Sequence, residues 1–348
     1  HKLILMNFNE LGLPETLLQA VSEMNFTSPT TIQQKAIPVL NKGDRDFIGL
    51  AQTGTGKTAA FGLPLLTLID PNVKIPQAVV LAPTRELAQQ ISTQLTSFSK
   101  YLKGIRIATV YGGAPISNQM RELRARPQIV VATPGRLIDM LKRKAVALDQ
   151  VQVVVLDEAD EMLNMGFKDE MDQILAETPK EKLTWLFSAT MPPEIRKMVN
   201  KYMNAPEEVS VSSGQQVNVN IDHEYVIVKS SGKTEVLRYF LLADPTMRAI
   251  IFCRTKRQTQ ELADELLQFG FDAEPIHGDL NQNQRDRVML KFKQHKLQVL
   301  VATDVAARGI DVNDLTHVIH HSLPDEQAYY THRSGRTARA GKMGISLA

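Results

Sequence analysis

The stretch AQTGTGKT, residues 51–58, places Lys57 and Thr58 at the end of a glycine-rich turn. Before it stands the apolar run DFIGLA, and after it the helix-forming AAFGLPLL. A glycine-rich turn between a strand and a helix start aims several backbone N–H groups at one point. The helix dipole adds positive potential there, so the spacing suits phosphate oxygens. Thr53, Gly54, Thr55 and Gly56 supply the backbone of this cradle. Lys57 is placed to reach the outer phosphates of a nucleotide, and the Thr58 hydroxyl to ligate Mg²⁺. Ala51 stands where the pattern usually opens with glycine, a small departure.

A second, acidic element lies in VVVLDEAD (153–160). An apolar run ends in carboxylates, and open α/β sheets bind ligands at the carboxyl ends of their strands. Asp157 is expected to hold Mg²⁺, through water, and Glu158 to polarise or deprotonate an attacking water. A cradle and a cation for the phosphates, then a carboxylate for the nucleophile, are the parts that phosphoryl transfer needs. Upstream, NFTSPTTIQ (25–33) ends in Gln33. Its amide can donate to N7 of adenine and accept from the N6 amine, an edge where guanine offers O6 instead. Phe8 is available to stack on the base. Taken alone, Gln33 reads as a plain surface amide.

Near the carboxyl end, THRSGRTARAG (331–341) spaces Arg333, Arg336 and Arg339 three residues apart. On a helix that spacing steps back about 60° each time, so the three would share an arc of ~120°. Three guanidiniums on one face ask for an anion. The candidates are a nucleic-acid backbone, a nucleotide phosphate and local carboxylates.

The 348 residues leave room for two domains of ordinary size, and an apolar content of 43% supports a sizeable core. Forty basic residues against 38 acidic ones give a net charge of +2, so any nucleic-acid surface must be local. The single cysteine, Cys253, excludes an internal disulfide framework. It follows the apolar IIF and is expected to be buried and inert, which fits a reducing, cytoplasmic location. No apolar run approaches the ~20 residues of a membrane span, and no signal peptide is evident. Met6 is expected to be the natural start, and the five residues before it are set aside.

These residues need a scaffold, and the apolar runs supply one. DFIGLA (46–51), QAVVLA (77–82), RIATVY (106–111), QIVVAT (128–133), VQVVVL (151–156) and TWLFSA (184–189) alternate with amphipathic, helix-length segments. Continuous apolar runs separated by helices indicate parallel strands buried on both faces. The pattern lapses over 206–220, a polar stretch read as a linker centred on 209–220. It restarts with EYVIVK (224–229), RAIIFC (248–253), AEPIHG (273–278), LQVLVAT (297–303) and THVIHH (316–321). Between them TQELADELLQFG sets Leu262, Leu266 and Leu267 on one face, with Gly270 as the stop. The expected fold is therefore α/β: a first domain over 6–208 and a second over 221–348. Each is a mostly parallel sheet flanked by helices. The closing GISLA reads as the opening of another strand, with more of the second domain expected beyond it.

Taken together these elements resemble the DEAD-box ATP-dependent RNA helicases, whose naming tetrad stands here as Asp157-Glu158-Ala159-Asp160. The resemblance spans nearly the whole chain. In family order it comprises Phe26 to Gln33, AQTGTGKT, PTRELA (83–88), GG (112–113), TPGR (133–136), DEAD and SAT (188–190). IIFCRT (250–255), QNQR (282–285), ATDVAARGIDV (302–312) and HRSGRTARAG (332–341) follow.

The resemblance implies two RecA-like domains with ATP, Mg²⁺ and RNA bound between them. It implies ATP contacts from Phe26 and, in the second domain, from Asp311. In the first domain it puts RNA-backbone contacts at Pro83, Thr84, Arg85, Gly113, Thr133, Pro134, Gly135 and Arg136. In the second it puts them at Arg254, Thr255, Gly278, Gln282, Arg285 and Thr303. Thr84 also reads as an ordinary N-cap, and both roles can hold at one helix start. Ser188 and Thr190 are expected to bond Asp160 and couple the ATP site to unwinding. His332 is expected near the catalytic carboxylates, while Arg336 and Arg339 become fingers for the γ-phosphate. Arg333 stays open between an interface contact and catalysis. The implied activity is an RNA-dependent ATPase that closes its domains over ATP and single-stranded RNA and separates short duplexes. The alternative is an ATP-gated RNA clamp with little unwinding, and protein partners would be recruited through flanking tails. His320 and His321 show no metal-ligand spacing and are expected to be structural.

Overall fold

The computed structural model describes residues 7–52, 54–211, 220–307, 312, 314–325, 327–338 and 343–348. The chain divides into two compact units, His1–Ser212 and Ser213–Ala348.

The apolar runs of the first unit become strands β1 (Phe47–Leu50), β2 (Ala78–Leu81), β3 (Ile107–Val110), β4 (Ile129–Ala132), β5 (Val153–Asp157) and β6 (Leu183–Ser188). A further strand, β7 (Glu207–Ser210), joins them. They form one sheet in the order β3-β4-β2-β5-β6-β1-β7, and every pairing is parallel. One face is covered by α1 (Glu15–Glu23), α2 (Thr31–Leu40), α3 (Lys57–Leu68) and α4 (Arg85–Phe98). The other is covered by α5 (Ile116–Arg124), α6 (Pro134–Lys142), α7 (Ala159–Asn164), α8 (Lys168–Ala176) and α9 (Pro193–Tyr202). Two apolar layers explain why β2, β4 and β5 are buried along their whole length. On the first face Phe187 meets Phe47 and Phe61 at 5.6 and 5.3 Å between ring centroids. Gly49 is glycine because a β-carbon there would stand 2.8 Å from the Phe187 ring. The sheet continues past the expected boundary at 208. β7 pairs with β1 through Ser210, and the Val211 N–H donates to the Leu50 carbonyl (2.8 Å).

The second unit has β8 (Ile221–Glu224), β9 (Ala249–Cys253), β10 (Ala273–Ile276), β11 (Val299–Thr303), β12 (His317–His320) and β13 (Gly344–Leu347). They are again all parallel, in the order β10-β11-β9-β12-β13-β8. Helices α10 (Lys233–Ala243) and α11 (Lys256–Gln268) pack on one face. α12 (Gln282–Lys293) and α13 (Asp304–Ala307) pack on the other, and α14 (Gln327–Ser334) follows β12. Pro275 lies in β10, an edge strand, where a missing N–H is tolerated.

Two expectations are corrected here. EYVIVK does not form a strand over 224–229. Its parallel partner β13 pairs only as far as Glu224, and one further bond runs from the Val226 N–H to the Ala348 carbonyl (2.8 Å). In α11, Leu262 and Leu266 are buried but Leu267 is exposed, because one more residue turns the side chain 100° out of the core face. Gly270 does stop the helix, at φ 88°.

Cys253 is buried and its thiol is pushed up to about 12 by burial, so it stays protonated and inert. His320 is stacked on Tyr330 with 4.5 Å between ring centroids and shares a hydrogen bond of 3.1 Å with the Ser346 hydroxyl. Burial, reinforced by Arg333, drives its pKa down to about 3. Among the described residues no cluster of His, Cys, Asp and Glu has the makings of a metal site. A histidine whose folded pKa lies below its unfolded value stabilises the native state only while neutral. That stability is lost as pH falls from about 6.5 toward 3, at up to ~1.4 kcal/mol per pH unit. The urea midpoint followed by circular dichroism is expected to fall across this window. In His320→Gln the fall is expected to be shallower; an unchanged slope would mean that other groups carry the acid sensitivity.

Candidate active site and nucleic-acid interface

All strands of the first sheet point the same way, so the segments after β1 to β6 gather along one edge. Residues 51–58 leave β1 and turn into α3. Gly54 and Gly56 hold φ of 78° and 89°, which L side chains avoid. The Thr55 hydroxyl donates to the Gln52 carbonyl (2.7 Å) and tightens the turn. Lys57 and Thr58 open α3. Lys57 is 6% exposed, its Nζ has no hydrogen-bond partner, and it stands 4.0 Å from Asp157 Oδ1. Thr53 lies outside the described residues.

Gln33 closes this turn from α2. Its Oε1 accepts from the Thr30 N–H (2.9 Å), and its Nε2 donates to the Gly56 carbonyl (3.1 Å). The amide expected to read adenine thus also fixes the phosphate loop. Phe8 is buried, with its ring 6.2 Å from that of Phe26, which in turn meets Phe98 edge-on at 6.1 Å.

Asp157 ends β5 and is 2% exposed. Burial pushes its carboxyl up to about 7, against the pull of Lys57. Glu158 takes the left-handed conformation (φ 52°, ψ 50°), and its N–H donates to Asp157 Oδ1 (3.0 Å). Asp160 sits in the first turn of α7. Its Oδ2 accepts from both the Thr190 N–H (2.9 Å) and the Thr190 hydroxyl (2.8 Å), and its Oδ1 from the Glu161 N–H (3.1 Å). Ser188 reaches Asp160 differently: its Oγ accepts from the Asp160 N–H (3.3 Å), so the link is to the main chain and not to the carboxylate.

The remaining strands of this edge carry the other elements. Pro83 to Arg85 follow β2, with Thr84 capping α4 by accepting from the Leu87 N–H (3.2 Å). Gly113 follows β3 at φ 81°. Thr133 to Arg136 follow β4, with Pro134 at the first position of α6 and Gly135 exposed beside it. In sheet order, the phosphate loop, SAT and the acidic tetrad stand at the ends of β1, β6 and β5. The three polar loops with arginines or glycines occupy the contiguous β2, β4 and β3.

In the second unit the same edge holds Arg254 and Thr255 after β9, Gly278 after β10 and Thr303 at the end of β11. Arg254 Nη2 donates to both Asp325 oxygens (2.5 and 2.6 Å), and Thr255 caps α11 by accepting from the Gln258 N–H (3.2 Å). Gln282 opens α12 and donates to Asp286 (2.8 Å), with Arg285 one turn further on.

The three arginines do not share one helix face. α14 ends at Ser334 and Gly335 closes it, so Arg336 lies in the following turn. Arg333 is 3% exposed. Its Nε and Nη2 donate to the two Asp304 oxygens (2.6 Å each), and its Nη1 to the Ser322 carbonyl (2.7 Å). Local carboxylate is thus the partner of Arg333. Arg336 is buried, His332 lies in the last turn of α14, and Asp311 and Arg339 fall outside the described residues. Asp304 carried no separate signal in the sequence, although it stands inside ATDVAARGIDV.

The family profile described as DEAD/DEAH box helicase matches residues 30–198, and that of the helicase conserved C-terminal domain matches 232–341. The ATP-dependent RNA helicase CshA of Listeria monocytogenes is 48% identical over 340 residues, covering 98% of this chain and 65% of the relative. The DEAD-box ATP-dependent RNA helicase CshA of Geobacillus kaustophilus is 46% identical over 340 residues, covering 98% of this chain and 72% of the relative. The chain belongs to the DEAD-box helicase family. The structure of S. cerevisiae Dbp5 bound to RNA and ADP BeF3 is 33% identical with a TM-score of 0.90, covering 98% of this chain and 88% of that one. The DEAD-box chain thus has two RecA-like units. It spans about two thirds of the length of the listerial relative.

The contact between Gln33 and Gly56 gives this DEAD-box unit a direct test. A β-carbon on Gly56 would stand 2.3 Å from Gln33 Nε2. Gly56→Ala is expected to cost about 1–2 kcal/mol for the left-handed backbone, plus roughly 1 kcal/mol for the displaced amide. In a Gln33→Ala background only the first cost remains. Thermal denaturation of the four species should therefore show a coupling of about 1 kcal/mol; additivity would break the proposed link.

Proposed function

We propose that the chain is the catalytic core of an RNA-dependent ATPase that works as an ATP-dependent RNA helicase. One observation carries the reading: a buried lysine without a hydrogen-bond partner, 4.0 Å from a buried carboxyl, at the mouth of a glycine loop. The residues fit a metal–triphosphate. The orphaned Nζ of Lys57 and the loop N–H groups suit phosphate oxygens. The Thr58 hydroxyl and Asp157 offer the oxygen donors that Mg²⁺ prefers. When bound, Mg²⁺ would offset charge building on the γ-phosphate.

The protein's own groups then divide the work. Gln33 and Phe8 orient the adenine. Glu158 takes the proton of the attacking water. Arg336, and Arg339 three residues on in the sequence, bring positive charge from the second unit to the γ-phosphate. Asp160, held by Thr190, reports the state of the nucleotide site to the strand end that carries SAT. RNA is gripped by its backbone, from the loops after β2, β3 and β4 and from Arg254, Thr255, Gly278, Gln282, Arg285 and Thr303. Helix starts and glycine N–H groups suit phosphates and read no sequence. Hydrolysis depends on closure of the two units over both ligands, and a strand held in the closed state is parted locally from its complement. A cytoplasmic location goes with this reading, and no described helix is long and apolar enough to cross a membrane.

The test is the ATPase rate with and without RNA. Wild type is expected to be stimulated by RNA and less by DNA of the same sequence. Arg336→Ala is expected to lose about 10³–10⁵ of the stimulated rate, and Glu158→Gln about 10²–10⁴. Arg336→Ala with wild-type stimulated turnover would overturn the closure mechanism. Failure to part a short RNA duplex despite full ATPase would favour the RNA-clamp alternative.

Asp157 adds a pH signature. Its carboxyl titrates at about 7 and must lose its proton to hold a cation. Binding of Mg²⁺ with a non-hydrolysable ATP analogue at pH 7 is expected to release on the order of half a proton, less at pH 8 and more at pH 6. Calorimetry in buffers of different ionisation enthalpy measures this, and Asp157→Asn should abolish it.

A further inference from the structure

The loops after β2, β3 and β4 are not independent. They meet on two residues that no motif includes, Tyr111 and Gln119. Tyr111 directly follows β3, the edge strand of the first sheet, and Gln119 lies on α5 with 3% of its surface exposed. The Gln119 amide closes on the main chain of Tyr111. Its Oε1 accepts from the Tyr111 N–H (3.3 Å), and its Nε2 donates to the Tyr111 carbonyl (3.0 Å). The same Oε1 accepts from Arg136 Nη1 (3.0 Å), which also donates to the Ala114 carbonyl (3.2 Å). The ring of Tyr111 carries the guanidinium of Arg85 at 4.7 Å from its centroid, and its hydroxyl accepts from Gln89 Nε2 (2.9 Å) on α4.

We infer that Tyr111 and Gln119 are positioning residues that lock Arg85, Arg136 and the Gly112–Gly113 turn into one rigid grip for the RNA backbone. The inference rests on the RNA reading proposed above. Each link has a definite chemistry. A buried amide with a donor on one side and acceptor capacity on the other can be placed only one way around between an N–H and a carbonyl. Glutamate cannot replace it, because it has no hydrogen to give to the Tyr111 carbonyl. The aromatic face holds the Arg85 guanidinium by its quadrupole and so fixes where it stands. Long side chains lose much rotamer freedom when they grip a ligand. A grip assembled beforehand has already spent that entropy, so its loss appears in affinity for RNA and not in the chemical step.

The test separates those two quantities. In Gln119→Leu, the RNA concentration giving half-maximal ATPase is expected to rise about tenfold, equivalent to ~1.4 kcal/mol. The rate at saturating RNA and the KM for ATP should stay within about twofold of wild type. Tyr111→Leu should show the same split, whereas Tyr111→Phe, which keeps the ring under Arg85, should return most of the RNA affinity. Thermal denaturation identifies variants that have not folded. If Gln119→Leu is unfolded, the Tyr111→Leu and Tyr111→Phe pair decides. Folded variants with wild-type half-saturation would overturn the inference, as would Tyr111→Phe no better than Tyr111→Leu. A loss confined to the maximal rate would overturn it too. A wild-type enzyme indifferent to RNA would overturn the functional reading itself, and the inference with it.

Discussion

Two ionisable groups held dry at 4.0 Å from each other, Lys57 and Asp157, set the terms for the first unit. Taking each out of water costs several kcal/mol, and their mutual attraction at that distance returns about 4 kcal/mol at an effective dielectric of 20. The raised pKa of Asp157 registers the shortfall: burial outweighs the lysine. Asp157 receives a single main-chain hydrogen bond, from the Glu158 N–H, and Lys57 Nζ has none. A site of this kind gains most from a ligand that brings an anion to the lysine and a cation to the carboxylate together.

Much of the surrounding geometry keeps the other nearby carboxylates from competing for that site. Three acids occur within four residues, and each is handled differently. Asp157 stays beside the lysine. Glu158 is turned aside by a left-handed backbone, a conformation costing a non-glycine residue about 1–2 kcal/mol, partly offset by its N–H bond to Asp157. Asp160 is satisfied by neutral donors from Thr190 and the main chain. The tetrad therefore works as three separate environments. The link to β6 runs through Asp160, whose Oδ2 accepts both hydrogen bonds from Thr190.

What was legible in the sequence was what depends on neighbours along the chain. Apolar runs became parallel strands, Thr84 became an N-cap, and Gly270 ended its helix. What was not legible depends on partners far away. EYVIVK has the composition of a strand, yet the ladder between β8 and β13 runs only over Ile221–Glu224. β7 reads as linker and pairs because β1 offers an open edge. Gln119 looks like any polar residue on an amphipathic helix. Its role appears only when α5 folds back against the end of β3 and brings the amide to the main chain of Tyr111.

The arginine triplet shows why spacing alone could not assign roles. Periodicity treats Arg333 and Arg336 alike, but the helix stops between them. Arg333 has five donors, and its Nε, Nη1 and Nη2 are all engaged by Asp304 and Ser322 while its guanidinium lies over Phe252. Withdrawing it would take two charge-assisted hydrogen bonds from the part-buried Asp304 carboxylate. Its contribution is therefore to fasten α14 to the carboxyl end of β11, where Asp304 begins α13. That fastening gives the turn bearing Arg336 a fixed origin. Two arginines three residues apart thus differ in surroundings because one closes a helix onto Asp304 and the other stands in the turn that follows.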